Sequence, residues 1–221
     1  MIANDLAHAA HAGLFFRRGA NRTRLFVTVQ GVLCALTGMA HGIYEILKGN
    51  APIATSLSGT TGAFTIIHNY LFTGLAAVCV ALALILWTIG YIHRKNGATI
   101  FLLLSILLFL VGGGIAQVVF LLITWGVASR INRPPDRLKS ALSENTRRRF
   151  AKLWLAFFSM GYLFLGTGIG IWLILTPPGT AYQGHVMAYL ICWSALIIGL
   201  IFQPLTIVAG FLRDIEMQER K

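Results

Sequence analysis

Charge is what this sequence has least of. Asp, Glu, Lys and Arg make up only 11% of its residues, where a soluble domain carries about 25%. That supply cannot cover a water-facing surface. With 57% hydrophobic residues and a mean hydropathy of +0.74, an ordinary soluble globule is excluded. Acidic residues are scarcest, 7 against 18 Lys and Arg. In a soluble protein such an imbalance suggests nucleic acid. Here no recognition fold accompanies the basic clusters, which sit at the ends of apolar runs, and the reading is no nucleic-acid partner. Basic residues in those places encode orientation in a membrane.

Other things are missing too. There are 3 cysteines, and Cys34, Cys79 and Cys192 fall in three different apolar segments. Their spacing suits neither a zinc site nor a disulfide framework. No Walker sequence, HExxH motif, Ser/His/Asp order or Cys/His nucleophile pair is placed to act. The apolar segments also lack the chain of ionisable groups used by proton-coupled pumps. No catalytic residue is assigned. The sequence has no long-period repeat and no low-complexity tract.

What is present is apolar length. A helix crossing the hydrocarbon core needs about 20 apolar residues. The runs 25–47, 66–92, 153–175 and 186–212 meet that standard. A fifth, 98–129, carries no charge, and as one helix it would reach about 48 Å, well beyond a core of roughly 30 Å. Gly112, Gly113 and Gly114 stand at its centre, and each Gly costs a helix about 1 kcal/mol relative to Ala. The run therefore reads as a helical hairpin of two limbs, either short spans or a re-entrant loop.

Charge placement supports the hairpin. With it, every Lys and Arg except Lys48 falls on one side. A single crossing would move the basic stretch 130–152 and the C-terminal tail to the other side, against the positive-inside rule. The fold expected is an all-α polytopic membrane bundle: four full spans plus a central Gly-broken hairpin. It forms a single transmembrane domain over 25–212, in the cell membrane. The loop 130–152, the tail 213–221 and an interfacial segment 1–24 lie in the cytoplasm. That segment has Ile2, Leu6, Ala10 and Leu14 at helical spacing before Arg17 and Arg18. The first apolar run is too long for a signal-peptide core and reads as an uncleaved span. Pro134 and Pro135 stop a helix leaving the hairpin, and Ser143 is suited to N-cap the helix that carries Arg147–Arg149 into the next span.

Three groups of residues could bear function. His41 and Glu45, four apart on one helix face, with His68 and His185 lie near the outer ends of three spans. Imidazoles and a carboxylate at one depth can hold Zn, Cu or Fe, and two histidines can ligate haem. The plain structural reading is that groups near the interface are reached by water, and that Glu45 pairs with Lys48. The second group is the hairpin tip, Gly112, Gly113 and Gly114 with Gln117. Non-helical backbone inside a membrane must be protected by protein or line a water-filled cavity, and permeation paths use exposed carbonyls. The alternative is a compact turn buried against neighbouring spans. Third, Arg147, Arg148 and Arg149 could hold anionic lipid head groups, or serve only to set topology.

Small residues form a last pattern. Gly31, Ala35, Gly38 and Gly42 make a stripe on the first span, and Gly166 and Gly170 repeat it on the fourth, where small side chains let helix backbones approach closely. Three readings of function follow. The first is a small transport or channel-like component, or an accessory subunit of a membrane complex. The second is a metal- or haem-binding redox protein, and the third a structural or anionic-lipid-binding protein. Membrane lipids, further copies of the chain or other membrane subunits are the partners these imply.

Overall fold

A computed structural model describes residues 21–53, 57–58, 63–114, 116–131, 134–135, 137–175 and 186–219. The expected interfacial helix at 1–24 lies almost entirely outside them. Among the described residues the chain is all-α apart from one two-residue hairpin. The helices are α1 (Arg22–Leu47), α2 (Tyr70–Gly90), α3 (Gly97–Leu110), α4 (Ala116–Ala128), the short α5 (Arg137–Ala141), α6 (Glu144–Leu175) and α7 (Val186–Glu219). Strands β1 (Leu57–Ser58) and β2 (Ala63–Phe64) pair antiparallel between α1 and α2, with Leu57 opposite Phe64. Four helices, α1, α2, α6 and α7, are long and apolar enough to cross a membrane, and α3 and α4 are shorter apolar helices between them. By length and hydropathy this is a multi-pass membrane protein.

The helices run further than the apolar segments where caps or polar turns allow it. Asn21 accepts from the Arg24 amide at 2.9 Å and starts α1 three residues early. Ser143 Oγ accepts from the Thr146 amide at 3.4 Å, so α6 begins at Glu144, well before its apolar stretch. The second span is shorter than its apolar run, because Asn69 caps α2 through the Phe72 amide and residues 65–68 are drawn into other pairings.

Two compact units divide the chain, residues 1–133 and 134–221. In the first, α1 packs on α2 and α3 through the predicted small-residue stripe. Gly31, Ala35, Gly38 and Gly42 are all buried. A Cβ on Gly42 would stand 2.8 Å from the Gly74 carbonyl oxygen, and one on Gly38 would stand 2.9 Å from Leu108. Opposite lie Ala77, Ala81 and Leu84, each with no exposed surface. Side-chain hydroxyls on these helices fold back on their own backbone: Thr88 to the Leu84 carbonyl at 2.6 Å, Ser105 to Phe101 at 2.7 Å and Thr124 to Phe120 at 2.6 Å. That disposes of donors that would be costly in an apolar interior.

In the second unit, α6 and α7 form a long antiparallel pair. Gly161, Gly168 and Gly199 take the close approaches, and Cys192 Sγ reaches the Gly168 carbonyl at 3.2 Å. Gly166 and Gly170, expected to pack, meet nothing within 4 Å. The helix turns about 100° per residue, so Gly161 and Gly168, one heptad apart, share the α7 side, and Gly166 and Gly170 point away from it. Pro204 lies within α7 on an exposed position.

Candidate functional site

The hairpin tip is a closed turn. α3 ends in a Schellman motif: the Gly113 amide donates to the Leu108 carbonyl at 2.8 Å and the Gly112 amide to Phe109 at 3.3 Å. Gly112 and Gly114 have φ of +96° and +92°, a region that side chains with a Cβ avoid. All three glycines are buried. With its amide nitrogen turned to the turn, Gln117 donates to the carbonyls of Gly114 at 3.0 Å and Gly113 at 3.2 Å. The two groups that a permeation path would use, the carbonyls and the Gln117 amide, are thus engaged with each other.

A strap from the preceding loop covers this turn. Thr65 forms a β-bridge with Val111, and the Ile66 amide donates to the Leu110 carbonyl at 3.0 Å. Phe64 stacks on Phe109 at 5.1 Å between ring centroids. Thr65 and Thr73 share a short hydroxyl–hydroxyl hydrogen bond, and Thr73 also reaches the Ile67 carbonyl at 3.1 Å. The strap is itself pinned at its other end. The Ile53 amide donates to His68 at 3.1 Å, the Tyr70 amide to Ala51 at 3.0 Å, and Asn69 Nδ2 to Asn50 Oδ1 at 2.7 Å. The tip therefore reaches the same end of the unit as the start of α2, one turn inside it at Thr73. At the opposite end, Asn21 Nδ2 donates to the Ile131 carbonyl at 2.7 Å and Trp87 Nε1 to Gly97 at 3.0 Å. The hairpin goes across and returns. Between its limbs lies a small, partly open crevice lined by Leu102, Ser105, Phe109, Val118 and Leu121. Its walls are apolar, and Ser105 is already bonded to Phe101.

His41 and Glu45 share a face of α1 as expected. Glu45 is buried, 1% exposed, and ion-paired with Lys48 at 2.9 Å. The Lys48 ammonium also lies over the rings of Tyr70 (4.5 Å) and Tyr44 (5.0 Å), a cation–π cage filled from within. His68 stands exposed, two residues ahead of α2. His185 lies outside the described residues. Among the described residues no three His, Cys, Asp or Glu side chains gather as a metal-ligand set. The tyrosine cage and the threonine pair were not foreseen. Lys48 three residues after Glu45 signalled the ion pair, but nothing in the sequence pointed to Thr65 meeting Thr73.

The three arginines of the basic loop do not behave alike. Arg147 Nη2 lies 3.9 Å from Glu219 Oε2 of α7. Arg148 pairs with Glu144 one turn back on α6. Arg149 is exposed, and so is Lys152. Comparison with protein-family models, curated proteins and solved structures finds no match to this chain.

Proposed function

We propose that this chain is an accessory subunit of a membrane assembly, its hairpin a packed structural element rather than a conduit. The observation that carries this reading is the closure of the tip. Gly113, Gly114 and Gln117 satisfy one another, and the 63–69 strap seals them. Glu45, the one acid on α1, is held by Lys48. These groups of the first unit are occupied by one another. In the second unit, α7 leaves Gly166 and Gly170 uncovered. A helix face with two glycines one turn apart suits close approach by a further helix.

Proteoliposome flux with full-length protein tests the reading, using Gln117→Leu and Gly170→Leu. Gln117→Leu is expected to lower thermal stability and leave ion and small-solute flux at the level of empty vesicles, as in the unaltered protein. Gly170→Leu is expected to shrink the complex isolated in mild detergent without loss of helix content. A solute flux that the unaltered protein supports and Gln117→Leu changes would replace this reading with the transport one.

A further inference from the structure

We infer that the outward face at the start of α6 is a binding site for an anionic phospholipid, held by Arg149 and Lys152 and not by the arginine triplet as a whole. This rests on the second unit alone and does not depend on the accessory-subunit reading.

Three observations lead there. Arg147 turns towards α7 and Glu219, its side chain only 15% exposed. Arg148 is matched by Glu144. Arg149 and Lys152 have no acidic partner among the described residues. They are three apart, hence neighbours on one face of the helix, and that face is opposite the buried Ala151, Trp154 and Gly161. Directly beyond them the same face turns apolar and stays exposed, through Leu153, Ala156, Met160 and Leu163.

Two cations with no acidic partner among the described residues, at the head of an exposed apolar stripe, match one chemistry, a phosphate joined to acyl chains. The long stems of Arg and Lys can lie along the helix while their heads stay in the polar layer, where the phosphodiester would sit. A zwitterionic lipid carries its own cation and would gain little. A freely soluble phosphate would leave the apolar stripe unused.

Native mass spectrometry of the full-length protein in mild detergent, titrated with phosphatidylglycerol and with phosphatidylcholine, tests this. Phosphatidylglycerol is expected to bind more tightly. Arg149→Gln and Lys152→Gln are each expected to weaken it roughly fivefold, and together about thirtyfold, from the usual worth of a basic residue at an anionic surface. Arg148→Gln should change it less than about twofold, and Arg149→Lys should retain most of it, whether or not the double variant folds. Raised salt should erode the preference. Equal losses in Arg148→Gln and Arg149→Gln would mean diffuse charge attraction and overturn the site. So would equal binding of the two lipids, or full competition by soluble glycerol phosphate.

Discussion

The contact between α1 and α2 is made by backbone, and Gly74→Ala is the sharpest probe of it. A Cβ on Gly74 would fall on the Gly42 carbonyl oxygen and stand 2.8 Å from the Ile46 amide nitrogen. Neither atom belongs to a flexible side chain, so the helices themselves must part, by roughly 0.5–1 Å. A gap of that size forfeits a quarter to a half of each pairwise attraction across the seam, where Ala77, Ala81 and Leu84 are fully buried. Overpacking costs about 1–3 kcal/mol in well-packed interiors, and a backbone clash belongs at the upper end. Against that, Ala gains about 1 kcal/mol of helix propensity over Gly. The net expectation is a loss of about 2 kcal/mol. Gly166→Ala is the matched control, because nothing lies within 4 Å of its Cβ position. It keeps the propensity gain without the clash. Unfolding in mixed micelles, followed by circular dichroism, should move the two variants in opposite directions. A Gly74→Ala protein as stable as the unaltered one would refute the claim that these backbones touch.

Thr73→Val should cost about 1 kcal/mol, since it removes the hydroxyl contact with Thr65 and the hydrogen bond to the Ile67 carbonyl while Thr65 keeps its pairing with Ile67, and should speed amide exchange at Ile66 and Ile67. Lys48→Met removes the ammonium beside buried Glu45 and should destabilise by about 1–3 kcal/mol, below the full penalty for a buried pair because Lys48 is partly exposed. Adding Glu45→Gln should recover part of that loss in the same melting assay. His93, in the turn between α2 and α3, is held below the usual imidazole range by burial first, then by Arg24 and Arg94. A group whose folded value is depressed supports the fold above its unfolded value of about 6.5 and loses that support as pH falls through the window below. Melting temperatures at pH 7 and pH 5 should therefore differ less in His93→Gln than in the unaltered protein. Purified protein should show neither stoichiometric metal nor a Soret band. Either signal, if lost in His41→Ala and His68→Ala, would favour the redox reading.

The sequence was most legible where physics acts on single residues or on fixed spacings. Apolar run length is set by the membrane, so the four long helices could be read directly. The glycine triplet broke the fifth run because helix propensity is local, and the α1 stripe followed from small residues three or four apart. Ser143 capped α6 as its side chain predicted. What stayed hidden depends on pairings between distant segments. The strap over the tip, residues 63–69, joins Phe64, Ile66 and Ile67 to Thr65, His68 and Asn69, so its apolar part read as the start of the second span, and its partner Val111 is more than 40 residues from Thr65. The Gly166–Gly170 pair looked like the α1 stripe, yet the α7 side is chosen by Gly161, Gly168 and Gly199 acting together. The arginine triplet could not be divided without knowing that Glu219 returns to Arg147 and that Arg149 meets no acid among the described residues.

The strap and the short limbs explain each other. α3 has 14 residues and α2 has 21, about 21 Å against about 31 Å. A hairpin with such limbs ends its chain reversal one turn inside the start of α2, where Gly112, Gly113 and Gly114 are buried and a bare carbonyl is costly. Here the preceding loop descends instead: Ile66 supplies an amide to Leu110, whose carbonyl is an orphan of the helix end, and Gln117 serves the two carbonyls beyond it. Thr65 of the loop and Thr73 of α2, both buried, thereby act as core. On this argument, inserting flexible residues between Ser58 and Ala63 should be tolerated, because the pairings that make the seal among the described residues come from 64–69 and Thr73. An insertion between Thr65 and Asn69 should unfold the tip as surely as a cavity in the α1–α2 seam.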